Sequence, residues 1–228
     1  MKPFVAAFAV LALAAPAAHA GETETVTRTV SLNPGGTLDL KTFSGRVIVT
    51  PTDGNQVTVN AVRHGSRRQL DRVQLEVTSN GSTVSVNANR HDRSWWGDDN
   101  VVETELDVRV PRRTNLRITS FSAPVEVDGV DAAEVSAHTF SGKVDIRLET
   151  WQPHQHVDIK TFSGRVALRI PENAAGHVEF KSFSGRLDSD LPLTLHSSSR
   201  KNLSADLGSS GDGSLRVQTF SGGVKIQR

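Results

Sequence analysis

Two adjacent tryptophans beside acidic side chains form the most conspicuous candidate binding site in this sequence. Trp95 and Trp96 stand in a polar stretch that also holds Asp98 and Asp99. Exposed indole rings next to carboxylates are a common means of stacking on sugar rings or anchoring a protein partner. The alternative is that one tryptophan caps the end of the fold and the other lies over it. The residues alone favour neither reading.

Two histidines could supply metal ligands. His154 and His156 alternate along an extended segment, so both imidazoles would point to the same side. A zinc site needs further ligands, and no third histidine or carboxylate stands at a fixed spacing from this pair. An ordinary loop is therefore the favoured interpretation, and the sequence predicts no metal and no cofactor.

A recurring serine is the next candidate for chemistry, as a nucleophile. It stands at six equivalent positions: Ser44, Ser122, Ser141, Ser163, Ser184 and Ser221. Six identical serines cannot all be nucleophiles, and no histidine recurs at a useful offset to act as a base. Carboxylates are also sparse, since Asp145 and Asp188 share one repeat position but Ala167 lies between them, and Glu126 is the only other carboxylate at that position. The sequence predicts no catalytic residues.

These serines belong to a repeated six-residue motif. It reads KTFSGR at 41–46 and 160–165, HTFSGK at 138–143 and KSFSGR at 181–186, with weaker copies TSFSAP at 119–124 and QTFSGG at 218–223. Its aromatic residues are Phe43, Phe121, Phe140, Phe162, Phe183 and Phe220, and its glycines are Gly45, Gly142, Gly164, Gly185 and Gly222. The phenylalanines are spaced at multiples of roughly twenty residues, a period typical of stacked repeat proteins.

Alternating apolar residues on both sides of each motif predict two strands joined by a bend. Val157 and Ile159 share one face, as do Val166 and Leu168, but the odd offset between the pairs requires a turn. Gly164 is expected to permit the backbone angles of that turn. The sequence predicts an all-β, single-stranded parallel β-solenoid (β-helix) of about 20-residue coils, each roughly 4.8 Å above the last. A hairpin near 73–88 is expected to interrupt it.

Basic residues flank the bends and would form a ridge on both sides of them. They are Lys41, Arg46, Lys143, Lys160, Arg165, Lys181 and Arg186. Such a ridge could dock an anionic polymer. The favoured alternative is a solvated, self-neutralised face, because Asp39, Asp158 and Glu179 each stand two residues before a lysine.

The phenylalanine positions are interpreted as structural, with the rings stacked at the bend to fill the corner of the core or shield its edge. The alternative is a stripe of exposed rings for partner docking, which would require an apolar surface patch. The hydroxyl residues of the motif are expected to satisfy the amides of the bend.

The N-terminus and composition predict an exported protein. Residues 1–20 have a basic start, an apolar run and an Ala-His-Ala cleavage site, which indicate a removable signal peptide before one domain over 21–228. Without Lys2 the chain carries 25 basic and 25 acidic side chains, so charge does not favour nucleic acid. Cysteine is absent, and no later segment predicts a transmembrane span. A periplasmic location is expected, with secretion or cell-surface display as alternatives.

The motif, within a V-x-I-x-T-x-S-G-x-V-x-I pattern, resembles the bacterial candidate-adhesin family DUF4097 over residues 37–228, although Ala123 and Pro124 depart from it. The resemblance implies an exported or envelope-associated β-solenoid and transfers no catalytic residues. The leading hypothesis is a non-enzymatic adhesin-like scaffold or binding module whose partner is an anionic surface glycan or an envelope protein. The alternatives are a carbohydrate-active β-helix enzyme, such as a polysaccharide lyase or hydrolase, and an accessory protein of envelope-stress signalling.

Overall fold

The computed structural model describes residues 21–91, 101–199, 201–208 and 211–228. The predicted signal peptide, 1–20, lies outside these residues, so it stays a prediction. Within the described chain the strands form two facing sheets, one of nine strands and one of ten. None of its helices is long and apolar enough to cross a membrane.

The first sheet contains nine strands, which lie in the spatial order β1 (Glu22–Ser31), β4 (Gln56–Gly65), β7 (Glu103–Pro111), β3 (Gly45–Thr52), β9 (Val125–Val130), β11 (Val144–Leu148), β13 (Val166–Arg169), β19 (Val224–Gln227) and β15 (Leu187–Ser189). From β7 to β15 the neighbouring strands are parallel.

The second sheet contains ten strands, which lie in the spatial order β16 (Leu193–Ser198), β17 (Asn202–Leu207), β14 (Gly176–Ser182), β18 (Gly213–Thr219), β12 (His156–Thr161), β10 (Glu134–Thr139), β8 (Asn115–Ser120), β2 (Thr37–Thr42), β6 (Thr83–His91) and β5 (Val73–Ser79). A short helix, α1 (Arg67–Arg72), precedes β5 and begins with a capping box made by Ser66 and Gln69.

Each motif joins one strand of the second sheet to one strand of the first, so every repeat is one coil of a parallel solenoid. Neighbouring coils pair in register, as Val135 with Val157 and Val144 with Val166. The predicted all-β solenoid is confirmed. The hairpin predicted near 73–88 is also confirmed, as antiparallel strands β5 and β6.

The core lies between the two sheets and is built from the alternate apolar residues that face inward. Val157, Ile159, Val166 and Leu168 are all fully buried in one coil. Burial of each such side chain stabilises the fold by about 1.5–3 kcal/mol relative to exposure. The repeat therefore contributes one layer of core per coil.

The coils do not stack in the order of the chain. The C-terminal coil, β18–β19, lies between the coil β12–β13 and the coil β14–β15. The prediction that each coil lies on the preceding one is therefore wrong for this end of the solenoid. In the irregular stretch 191–212, the alternation of Leu203, Ala205 and Leu207 predicts a coil without the motif. The structure instead has the antiparallel hairpin β16–β17 there, at the edge of the second sheet.

The hydroxyl residue before each phenylalanine organises the bend, as predicted. Thr161 Oγ1 accepts a hydrogen bond of 2.8 Å from the amide of Gly164, and Thr139 does the same for Gly142. In the divergent copy, Ser120 instead donates to the carbonyl of Ala123. This bond holds the end of one strand against the start of the next.

Glycine is required at the bend for a reason other than the one predicted. Gly164 has no positive φ, so the expectation that it permits unusual backbone angles is wrong. A Cβ atom built there would lie 2.0 Å from the carbonyl oxygen of Gly142 on the neighbouring coil. The glycine position thus allows close approach of successive coils. Gly45 is the exception, with a φ of 103°.

Candidate functional site

The six motif phenylalanines form a continuous ladder on the outside of the solenoid. In spatial order the rings belong to Phe43, Phe121, Phe140, Phe162, Phe220 and Phe183, with neighbouring centroids 4.6–4.9 Å apart and ring planes within 11° of parallel. Each side chain keeps 39–57% of its surface exposed. The predicted stacking of the rings is confirmed. Their exposure shows that they do not fill the corner of the core, so they form an exposed stripe along its edge.

The ladder follows from the register of the coils. Parallel strands pair about 4.8 Å apart, and identical residues at identical positions place each ring over the next at that spacing. Offset stacking at this separation is favourable for aromatic rings. Each inner ring has a neighbour on both faces, so its exposed surface is mainly its edge. The ladder thus presents a ribbon of ring edges about 24 Å long.

A shallow groove of about 750 Å³ runs beside four rings of the ladder. One wall is formed by the phenylalanines and the other by the residues that open the motif, while the buried hydroxyl residues lie along its floor. Its side chains include His138, Lys160, Lys181, Lys201 and Gln218. None of the described residues lining it is acidic. The groove therefore combines aromatic edges with cations and hydrogen-bond donors.

Two lysines of the predicted basic ridge are partly neutralised, as the favoured alternative expected. Lys160 Nζ lies 2.9 Å from Asp158 Oδ2, and Lys181 Nζ lies 3.9 Å from Glu179. Asp158 also accepts a hydrogen bond of 3.2 Å from His138 on the next coil. Burial alone would raise the pKa of the Asp158 carboxyl, but the hydrogen bonds from Lys160 and His138 outweigh it and hold that pKa below its ordinary value.

The arginines on the other side of the ladder are not neutralised in this way. Arg46, Arg165 and Arg186 are exposed, and no carboxylate of the described residues forms an ion pair with them. Lys41 likewise has no ion-pair partner within the described ranges, whereas Lys143 pairs with Asp145 at 3.0 Å. Self-neutralisation therefore applies to three of the seven predicted basic contacts. The ladder is flanked by cations on both sides.

One groove residue was not singled out from the sequence. Lys201 stands in the irregular stretch between β16 and β17, where no motif copy marks it. Its ammonium nitrogen lies 4.5 Å from the centroid of the Phe183 ring. The hairpin brings it there, because the Lys201 carbonyl accepts a hydrogen bond of 2.8 Å from the Ser182 amide. To predict Lys201 as a groove residue, one would have to know that β17 pairs antiparallel with β14, and the repeat period does not indicate this pairing.

The other candidate binding residues are the tryptophan loop and the histidine pair. Trp95, Trp96, Asp98 and Asp99 lie outside the described residues, so their role stays a prediction. His154 faces Asp212 at 3.8 Å, and His156 bonds the hydroxyl of Ser214 at 2.7 Å. The two imidazoles therefore do not converge with a third ligand among the described residues.

The sparse carboxylate position lies on the outer face of the first sheet. Asp145 pairs with Lys143 and with Arg169, at 3.0 and 2.7 Å. In the register of the sheet, Ala167 and Lys225 lie between Asp145 and Asp188, so two intervening coils separate the two aspartates. The carboxylate next to Asp145 in the register is Glu126 on the adjacent coil. Both oxygens of Asp145 are engaged by Lys143 and Arg169, so this position presents a salt-bridged surface and not two free carboxylates facing a cleft.

Comparisons with known proteins find a family and solved structures that are similar to this chain. Residues 104–227 match the model of the family described as Toastrack DUF4097. A Clostridium sporogenes protein described as a candidate cell adhesion protein has a similar crystal structure, with 11% identity, a TM-score of 0.59, and coverage of 90% of this chain and 99% of that one. A candidate adhesin from Bacteroides fragilis aligns at 10% identity over 89% and 97% of the two chains, with a TM-score of 0.35. No curated protein matches the sequence.

Proposed function

The chain belongs to the Toastrack family DUF4097, and from this fold and the groove beside its phenylalanine ladder we propose that it is a non-enzymatic binding module for an anionic glycan of the cell envelope. The observation that carries the proposal is the composition of the groove. Lys160, Lys181 and Lys201 line it, and no acidic residue of the described chain does.

The electrostatics of the ladder favour the same class of ligand. An aromatic ring has a negative face and a positive edge. Because the inner rings cover one another's faces, the groove is bordered by positive edges as well as by lysines. Stacking of a neutral sugar requires a free ring face, and within the ladder such faces are covered. Sulfate, phosphate or carboxylate groups along an extended chain match this surface better.

The periodicity of the groove suits a polymer. Equivalent residues recur at each coil, about 4.8 Å apart, along one shallow open groove. Arg165 and Arg186 on the other side of the ladder, without carboxylate partners among the described residues, extend the positive field across it. Such a field raises the association rate of an anionic ligand and makes binding sensitive to salt.

The predicted signal peptide supports a location outside the cytoplasm, where such glycans are found. We propose export to the periplasm, with surface display as the alternative. Candidate adhesins among the structural relatives are consistent with a binding role for this protein. An envelope protein with an acidic segment is the alternative ligand of the same groove.

The test is a binding titration with dextran sulfate and with neutral dextran of the same length. We expect the mature protein to bind dextran sulfate only. The double variant Lys181→Gln/Lys201→Gln should weaken that binding by about tenfold, equivalent to about 1.4 kcal/mol. Lys201 has no carboxylate partner among the described residues, and Glu179 keeps Arg216 at 2.9 Å when Lys181 is replaced.

The matched control is Lys225→Gln/Arg228→Gln, which removes the same charge from the first sheet, away from the groove. It should leave binding within about twofold of the wild type. Equal losses in the two double variants would show that only net charge matters and would remove the groove from the proposal. A glycan array comparing the wild type with Trp95→Ala/Trp96→Ala tests the separate tryptophan hypothesis.

A further inference from the structure

Three polar side chains that the sequence did not single out meet on the outer face of the second sheet. His177 is on β14, Asp206 on β17 and His196 on β16, so three adjacent antiparallel strands each contribute one residue. His177 and Asp206 are direct partners in the register. The cluster lies at the opposite side of β14 from β18 and is separate from the groove residues that carry the proposed glycan function.

The pairing of β16 with β17 brings the third residue into the cluster. Thr194 is opposite Asp206 and Leu195 is opposite Ala205, but the register shifts before Ser197, which is opposite Ser204. His196 is thus the extra residue of a bulge. Thr194 and His196 are two residues apart, so alternation along the strand directs both side chains to the face of Asp206. His196 Nε2 lies 2.7 Å from Asp206 Oδ2 there.

The distances between the donor atoms approach those of a metal coordination sphere. His177 Nδ1 lies 3.3 Å from Asp206 Oδ1, and one donor atom from each of the three residues lies within 4.8 Å of the others. In tetrahedral zinc sites the metal–ligand bonds are about 2.0–2.1 Å, which places neighbouring ligand atoms about 3.3 Å apart. Small side-chain rotations would bring all three donors to one ion.

We propose that His177, His196 and Asp206 form a binding site for a divalent transition metal, with Zn²⁺ as its representative ion. Two imidazoles and one carboxylate are a common ligand set for zinc with one open position. Imidazole nitrogens disfavour Mg²⁺ and Ca²⁺, which prefer oxygen ligands alone. The side chains are about half exposed, so an ion could enter from solvent.

A fourth residue holds one of the ligands in the required orientation. Ser204 Oγ lies 3.3 Å from His177 Nε2, on the ring edge opposite the one that faces Asp206. If this nitrogen carries the proton and donates to Ser204, the lone pair of Nδ1 points toward the cluster. Metal-binding histidines commonly have such a partner on their second nitrogen. Ser204 is therefore a positioning residue.

The site would also strengthen the edge of the sheet. The β16–β17 hairpin covers β14 and is the last element of the second sheet at this end. One ion bound by residues from all three strands would cross-link them. Metal that binds the folded chain alone stabilises it. This gives a readout that does not depend on the glycan ligand.

The experiment uses the mature protein without a polyhistidine tag, stripped of metal by a chelator and titrated with ZnCl₂ in competition with a chromophoric zinc indicator. We expect one ion per chain and a rise in the midpoint of thermal unfolding. His177→Ala and His196→Ala should each lower the affinity by more than about 100-fold, and Ser204→Ala by about tenfold. Co²⁺ should give visible absorption bands in the wild type and not in either histidine variant.

The control is His64→Ala, an exposed histidine on the first sheet that bonds Thr23 at 3.1 Å. It should bind zinc as the wild type does. The proposal would be overturned by a wild type that takes up no zinc at micromolar concentration, or by His177→Ala and His196→Ala variants that bind as tightly as His64→Ala. Either result would mean that the cluster is a hydrogen-bonded surface network only. Neither result bears on dextran sulfate binding, so the two proposals fail separately.

Discussion

The ammonium group of Lys201 lies over the face of the Phe183 ring, 4.5 Å from its centroid, at one end of the phenylalanine ladder. The other face of that ring is covered by Phe220. Lys201 therefore occupies the place where a seventh ring would continue the ladder. A cation on the last ring face satisfies the negative side of its quadrupole and keeps a further aromatic surface from stacking there.

We predict that Lys201→Met lowers the free energy of unfolding by about 0.5–1 kcal/mol, since cation–π pairs at exposed sites have about that strength. Lys201→Arg should keep most of it, because a guanidinium also stacks on an aromatic face. Urea unfolding of both variants measures the difference. In a Phe183→Leu background the Lys201→Met change should have almost no effect, and an undiminished effect there would assign the loss to another contact.

Ring position within the ladder should determine the effect of removing a ring. Phe162 is stacked between Phe140 and Phe220, whereas Phe43 has one ring neighbour among the described residues. Each stacked pair contributes about 0.5–1.5 kcal/mol beyond its buried area. We expect Phe162→Leu to destabilise the protein about twice as much as Phe43→Leu in denaturant unfolding. Equal values would indicate that neighbouring rings are not energetically coupled.

The sequence predicts the coil and its bend because both depend on local patterns. Alternation around residues such as Val157 and Ile159 determines which side chains face the core, and the recurring Thr-Phe-Ser-Gly spacing locates each turn. Alternation along β12 then places Lys160 beside Asp158 on the same face of the strand, as expected from their separation of two residues. These features need no knowledge of which coils are neighbours.

The features that were not predicted depend on the order of the coils in space. The stacking of Phe183 on Phe220 requires the C-terminal coil to insert between two earlier ones, and no local pattern specifies that insertion. Lys201 and the group His177, His196 and Asp206 are brought into place by antiparallel pairing in a stretch without the repeat. The spacing of the motif also did not predict that the rings are exposed. Alternation along a strand does not specify which way a side chain points at a bend.

Asp158 should make the stability of the coil stack depend on pH. Its pKa in the folded protein is held below the ordinary 3.8 by hydrogen bonds from Lys160 and His138, which outweigh the effect of burial. A lowered folded-state pKa means that the carboxylate stabilises the fold above about pH 4, and that this contribution is lost as the pH falls through the folded-state value. We therefore expect Asp158→Asn to be less stable than the wild type at about pH 6.

The difference between the two proteins should begin to shrink as the pH falls below about 4 and should approach zero only below the folded-state pKa of Asp158, as measured by urea unfolding at each pH. Lys160→Met removes one of the two hydrogen bonds and should reduce the difference at about pH 6. A difference that stays constant across this pH range would show that the loss in Asp158→Asn comes from packing and not from ionisation.

Two adjacent glycines offer a test of close coil approach as the reason for the motif. A Cβ atom at Gly222 would lie 2.0 Å from the carbonyl oxygen of Gly164, whereas one at Gly223 would meet nothing within 4 Å. Neither residue has a positive φ, so backbone strain does not distinguish them.

Gly222→Ala must push neighbouring coils apart and should lower the free energy of unfolding by about 1–3 kcal/mol or more. Gly223→Ala should change it by less than about 0.5 kcal/mol or raise it slightly, since alanine restricts the unfolded chain. Thermal and urea unfolding of the two variants measure this contrast, and comparable destabilisation by both would mean that the bend requires glycine for its conformation and not for the approach of the next coil.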